Sequence, residues 1–187
     1  MSGLLAGLSL TYMRAFRIGD RVKIEDVEGD VVEMGLAVTR LKTAKNEIVT
    51  VPNTKIMGGY VTNYSLLARE KRLILHTTVT IGYDAPWRQV HALLLQAAQR
   101  TPGLLRDPPP FVLQRELGDF AVAYQLNVYT DNANAMGPAY SRLHQGIQDA
   151  FNEYGVQIMS PHYEADRAQP TLVPKDRWYA PPATPPE

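Results

Sequence analysis

The chain has 187 residues, 45% hydrophobic and 20% charged, with Lys plus Arg and Asp plus Glu both at 19. That length suits one or two compact domains, and the neutral balance argues against a dedicated nucleic-acid binder, which carries a basic excess. The lack of cysteine excludes disulfides, thiolate metal sites and cysteine nucleophiles together.

Residues 1–13 contain no charged side chain. As a helix they would span about 20 Å, short of the roughly 30 Å hydrocarbon core of a bilayer, so this segment does not cross a membrane alone. No Lys or Arg precedes the apolar run and no A-x-A pattern follows it, which argues against a signal peptide. Arg14, Arg17, Arg21 and Lys23 come directly afterwards, as at the cytoplasmic end of a transmembrane helix. An amphipathic helix packed on the next domain explains the same residues, and the residues alone leave both readings open.

Asp20 to Ser65 reads as all-β. Val22 and Ile24 alternate with polar neighbours, and Val31 and Val32 follow an expected turn at Glu28-Gly29-Asp30. Ala37–Thr43 and Ile48–Val51 form a hairpin around Ala44-Lys45-Asn46-Glu47. Asn53–Met57 makes one helical turn ended by Gly58-Gly59, and Tyr60–Tyr64 is a final strand. Five short strands with tight turns suggest a small, strongly bent sheet or barrel.

From Arg69 the period changes. Leu73, Leu75, Thr77, Val79 and Ile81 share one strand face. Asp84 is placed to cap a helix with Pro86 in its first turn. Val90, Leu93, Leu94, Ala97 and Ala98 form its buried stripe, and Thr101-Pro102-Gly103 ends it. Phe111–Leu117 and the alternating Phe120, Val122, Tyr124, Leu126 and Val128 give two further strands. A second helix over Ala135–Tyr154 turns Tyr140, Leu143, Ile147, Phe151 and Tyr154 inward, with Gly155 at a left-handed C-cap. Val156–Met159 is a last strand. The order β-α-β-β-α-β is the ferredoxin-like arrangement. Residues 168–187 hold six prolines and read as extended, with no core of their own. Thr171-Leu172-Val173 could add to a supplied strand edge.

Chemistry is sparse. His76, His91, His144 and His162 show no metal-ligand spacing, and His162-Tyr163-Glu164 is a weak cluster. No nucleophile elbow, phosphate loop or dinucleotide fingerprint occurs. Gly3-x3-Gly7 allows close helix packing but is common by chance. Glu25, Asp26, Glu28 and Asp30 read as a solvated loop. Arg40, Lys42 and Lys45 lie along one hairpin face, either as a wet surface or as a charged lining that concentrates ions.

Phe16-x-x-Gly19-Asp20, Gly29-x-Val31, Pro52-Asn53 with Ile56, Asn63-x-Ser65, and Gly155-Val156-x-Ile158 with Ser160-Pro161 carry a resemblance to the small-conductance mechanosensitive channel family. It extends from about Gly3 to Glu164. The hairpin departs from it, with Lys45-Asn46 where many relatives place Asp-Gly. Among the motif residues, Gly19 and Gly29 would make tight turns, Pro52 would halt a strand and Asn53 would cap the next turn.

The resemblance implies a mixed β and α+β fold, a small Sm-like β-barrel domain followed by a ferredoxin-like α/β domain. It divides the chain into the end of a pore-lining helix (1–15, with Leu4, Gly7 and Leu8 on it), a β-domain (16–67), an α/β domain (68–166) and the proline-rich tail (167–187). It selects the membrane-helix reading of the leading segment and implies that the family's other membrane helices are missing. It further implies no catalytic role, no cofactor, no bound metal and no nucleic acid. The expected partners are copies of itself, a heptamer in well-known relatives, and a lipid bilayer met through the missing helices. The implied place is the inner membrane for the parent, with this region cytoplasmic and itself soluble. Two other readings remain: an Sm-like nucleic-acid-binding ring, weakened by neutral charge and the lack of a stacking platform, and an enzyme on the ferredoxin-like half, for which fold alone is no argument.

Overall fold

A computed structural model describes Leu5, Ala6, Ser9 and residues 15–159. Leu4, Gly7, Leu8, Ser160-Pro161, the His162 cluster and the proline-rich tail lie outside the described residues. The chain divides into two compact units. The first takes residues up to Leu73 together with Thr130–Met136; the second takes Ile74–Tyr129 and the residues from Gly137 onward.

In the first unit, β1 (Arg21–Ile24), β2 (Val27–Met34), β3 (Val38–Lys42), β4 (Ile48–Pro52) and β5 (Val61–Asn63) form one sheet in the order β4-β3-β2-β1-β5. Every pairing is antiparallel. Two short helices, α1 (Asn53–Gly58) and α2 (Tyr64–Ala68), flank β5. The strands bury alternate residues, so Val22, Ile24, Val31, Leu41 and Val51 meet Phe16 and Ile56 in one core. A bulge between Val31 and Glu33 bends β2.

Two expectations need correction here. The sheet does not close into a barrel: three-residue β5 pairs with β1 alone, and β4 and β5 remain its two edges. The first turn lies at Glu25-Asp26, with Glu25 at φ 53°, and not at Glu28-Gly29-Asp30. Gly29 sits inside β2 opposite Val22. A Cβ there would lie 2.7 Å from the Lys42 carbonyl oxygen, so the glycine serves close strand approach rather than a turn. The β3–β4 hairpin turns at Asn46, φ 60°, a conformation asparagine tolerates.

In the second unit, β6 (Leu73–Gly82), β7 (Phe111–Leu117) and β8 (Ala121–Thr130) are ordered β6-β8-β7. Helices α3 (Trp87–Arg100) and α4 (Met136–Glu153) bury the stripes Val90-Leu93-Leu94-Ala97-Ala98 and Leu143-Ile147-Ala150-Phe151. Tyr154 is exposed, one residue past α4, while Ala139 and Ala150 are buried. The fourth strand shrinks to one antiparallel bridge, Thr80 with Met159, on the outer edge of β6. That completes the neighbour order of a ferredoxin-like sheet. Gly155 (φ 71°) stops α4: its N–H donates to the Asn152 carbonyl at 3.3 Å, and that of Val156 to Phe151 at 2.9 Å. Asp84 makes no cap; the residue before α3 is Pro86, without a side-chain bond.

Candidate functional site

The first unit brings two motif segments, far apart in sequence, onto one buried carboxylate. Phe16 is buried in the core and Gly19 takes φ 93°, so the chain reverses and lays residues 19–20 against β2. The Gly19 N–H donates to the Val31 carbonyl at 2.8 Å, and Val31 donates back to Asp20 at 2.9 Å. Asp20, 3% exposed, then faces inward. Its Oδ2 accepts from the Arg17 N–H (3.1 Å) and from Asn63 Nδ2 (3.0 Å), and its Oδ1 from Arg69 Nη1 (2.6 Å).

Asn63 works in three directions. Its amide also donates to the Ala15 carbonyl at 3.0 Å. Its Oδ1 accepts the N–H groups of Ser65 and Leu66, at 3.0 and 3.1 Å, which caps α2. Ser65 Oγ accepts the Arg21 N–H at 2.8 Å. Asn63-x-Ser65 therefore caps a helix and pins the residues on either side of Gly19.

Burial raises the Asp20 pKa, but the Arg69, Asn63 and Arg17 N–H groups together outweigh it, so the carboxyl is held below its usual value. A cavity of about 470 Å³ opens beside it, lined by Phe16, Arg17, Asp20, Met34, Asn63, Leu66 and Arg69.

Next to Asp20 the Arg21 guanidinium is nearly buried. It binds Asp30 at two points, Nε at 2.7 Å and Nη2 at 3.2 Å, and reaches Glu28 at 3.4 Å. Asn134 joins the same group. Its carbonyl accepts from Arg21 at 3.3 Å, and its amide donates to the Gly19 carbonyl (3.1 Å) and to Asp30 (2.6 Å). This overturns the solvated-loop reading for Glu28 and Asp30, whose charges offset that of a buried cation. Glu25 pairs with Lys55 at 3.3 Å on the surface.

Pro52, Asn53 and Ile56 form a separate group. Pro52 ends β4 opposite Val38, and Ile56 enters the core. Asn53 does not cap α1. Its buried side chain donates to the Gly35 and Leu36 carbonyls at 2.9 and 3.1 Å and accepts from Thr39 Oγ1 at 2.9 Å. It thereby fastens the β2–β3 loop to β4, a role its place in sequence does not announce.

Arg21, Asp30, Arg69 and Asn134 carry as much of this network as the motif residues do. Their signals were weak: Arg21 read as one of several flanking cations, and Asn134 is 113 residues from it. On the hairpin face, Arg40 pairs with Glu33, while Lys42 and Lys45 are exposed. His91 packs edge-on between Trp87 and Tyr124, and His144 bonds Thr77 at 2.9 Å. Among the described residues no group of three His, Cys, Asp or Glu could hold a metal ion, and no helix is long and apolar enough to cross a membrane. The polar clusters around Asp20, Arg21 and Asn53 are bonded largely among themselves and hold the backbone path of the first unit.

Comparison with known proteins gives two consecutive matches. Residues 1–66 match the β-domain of mechanosensitive ion channels, and residues 75–158 match the C-terminal region of the mechanosensitive ion channel MscS. An uncharacterized MscS family protein of Haemophilus influenzae is 30% identical over 158 residues, which are 84% of this chain and 14% of that protein. The miniconductance mechanosensitive channel MscM of Escherichia coli is 26% identical over 163 residues, 87% of this chain and 14% of that one. The chain thus spans about one seventh of the length of these two relatives. The crystal structure of closed-state Helicobacter pylori MscS shares the fold, with a TM-score of 0.70 at 16% identity over 89% of this chain and 64% of that one. Matched in order by two of its domains, the chain belongs to the MscS family of mechanosensitive ion channels.

Proposed function

We propose that this chain is the cytoplasmic vestibule portion of a membrane-tension-gated channel that lets ions and small solutes pass during osmotic downshock. The observation that carries the reading is the succession of two mechanosensitive-channel domains over residues 1–66 and 75–158. The bonding around Asp20 supports it. Arg17, Asn63 and Arg69 tie the residues that follow the apolar leading segment to the sheet, so displacement of that segment is transmitted instead of being lost in a loose joint. Channel matches favour this reading over an Sm-like nucleic-acid-binding ring.

In this account copies assemble into a homo-oligomeric ring, a heptamer as in well-known relatives. The parent lies in the inner membrane, with this region on the cytoplasmic side. Leu4, Gly7 and Leu8 belong to the end of the pore-lining helix. Phe16, Gly19, Asp20, Gly29, Pro52, Asn53, Ile56, Asn63 and Ser65 set the geometry by which the β-domain (16–67) meets its surroundings. The α/β domain (68–166) forms the wall below. Tension favours the open state because that state occupies more bilayer area. Cells stripped of their own mechanosensitive channels and expressing the complete gene product should survive downshock better than cells with empty vector. Equal survival, with the protein present in the membrane, refutes the reading.

A further inference from the structure

In the second unit a groove of about 660 Å³ lies between the outer edge of β6 and α4, and the channel reading gives it no role. Its size falls in the range of small-molecule sites, roughly 300–1,000 Å³. His144, Gln148 and Asn152 recur every four residues, so α4 turns all three to the same side. Gln157 joins them from the segment after α4. The His144 ring is held by the Thr77 hydroxyl at 2.9 Å. The carboxamides of Gln148, Asn152 and Gln157 have no hydrogen-bond partner among the described residues. Val79, Ile147 and Ile158 supply the apolar part of the wall, and no Lys, Arg, Asp or Glu lines the groove.

The edge of β6 limits what can enter. Alternate residues of a strand direct their N–H and C=O groups to the same side. On the outer side, the His76 N–H donates to the Tyr140 hydroxyl at 3.2 Å, and the Met159 N–H donates to the Thr80 carbonyl at 2.9 Å. Thr78 lies between them, and its backbone groups have no partner among the described residues. One open residue is too short for an added strand, which holds on through several successive main-chain pairings. A compact solute fits the gap better. Carboxamides and the Thr78 peptide groups offer both donors and acceptors, which matches hydroxyl groups that do both. The uncharged lining gives an ion nothing to pair with, and the apolar wall suits the C–H faces of a sugar ring. We propose that this groove binds a neutral polyhydroxy solute the size of a disaccharide, held by Gln148, Asn152, Gln157 and the Thr78 backbone.

Equilibrium dialysis of the full chain against radiolabelled trehalose tests this, because it counts bound solute and ignores stabilisation by excluded sugar. Uptake should saturate with a Kd below about 10 mM. Gln148→Ala combined with Asn152→Ala removes two hydrogen-bonding groups and should raise the Kd about tenfold. Gln145→Ala, on the same helix but outside the groove, should leave it unchanged. In the unaltered chain, trehalose should shift the NMR ring signals of His144 and leave those of His91, packed between Trp87 and Tyr124, in place. Uptake that does not saturate, equal affinity in the double variant, equal weakening by Gln145→Ala or an unmoved His144 signal each overturns the proposal. Tighter binding of inorganic phosphate or glycine betaine than of trehalose overturns the neutral class. None of these readouts uses a membrane current, so they stand or fall separately from the channel reading.

Discussion

Asp20 is the side chain on which the joint at the head of the sheet turns. Replacing it with Ala leaves the Asn63 amide and the Arg69 guanidinium short of an acceptor. Hydrogen bonds to charged groups contribute about 1.5–3 kcal/mol each. With Arg69 partly solvated, we expect a loss of about 2 kcal/mol in urea unfolding. The pH dependence has a definite sign. The folded-state pKa of Asp20 lies below its unfolded value, so its stabilisation is complete above about pH 4 and fades as pH falls through the depressed folded value. Asp20→Asn should flatten that acid limb, seen as a smaller stability difference from wild type at pH 3 than at pH 6. Asn53 makes a sharper chemical test. Its amide donates to two carbonyls, which a carboxylate cannot do, so Asn53→Asp should cost more than Asn53→Ala. Both should be destabilising by about 1–3 kcal/mol. Motif spacing singled out Asp20, Asn53 and Asn63. It did not reveal what they bind, because Arg69, just past α2, and the Gly35 carbonyl, in the β2–β3 loop, are brought to them only by the fold.

At the scale of elements, periodicity carried most of the information. Alternation located β8, and the spacing of three and four residues located α3 and α4, because one face of each is buried and the other is wet. The misplaced first turn shows the limit. Glycine marks both turns and close approaches, and only the partner strand distinguishes them. Gly29→Ala would drive a Cβ into the Lys42 carbonyl, 2.7 Å away and part of the backbone. The strands must separate, and we expect a loss of about 1–3 kcal/mol in thermal or urea unfolding. At the end of α4, Gly155→Ala forces an L side chain into φ 71°, at about 1–2 kcal/mol. That the sheet stays open was unreadable for a related reason: closure depends on whether edge strands meet, and five strand patterns look alike in an open or a closed sheet.

For the whole molecule, the order of the two domain types was readable, but their interweaving was not. Thr130–Met136 belongs to the first unit although it lies between elements of the second. Its Asn134 closes the Arg21–Asp30 cluster. No local pattern announces a contact made across that separation. In the proposed function the chain is a wall segment whose leading end is coupled to a conduit through lipid. Patch recording from giant vesicles containing the complete gene product tests this most directly. Suction should evoke channel currents whose open probability rises steeply with membrane tension. A membrane that holds the protein yet stays silent up to the tension at which it ruptures would contradict the account.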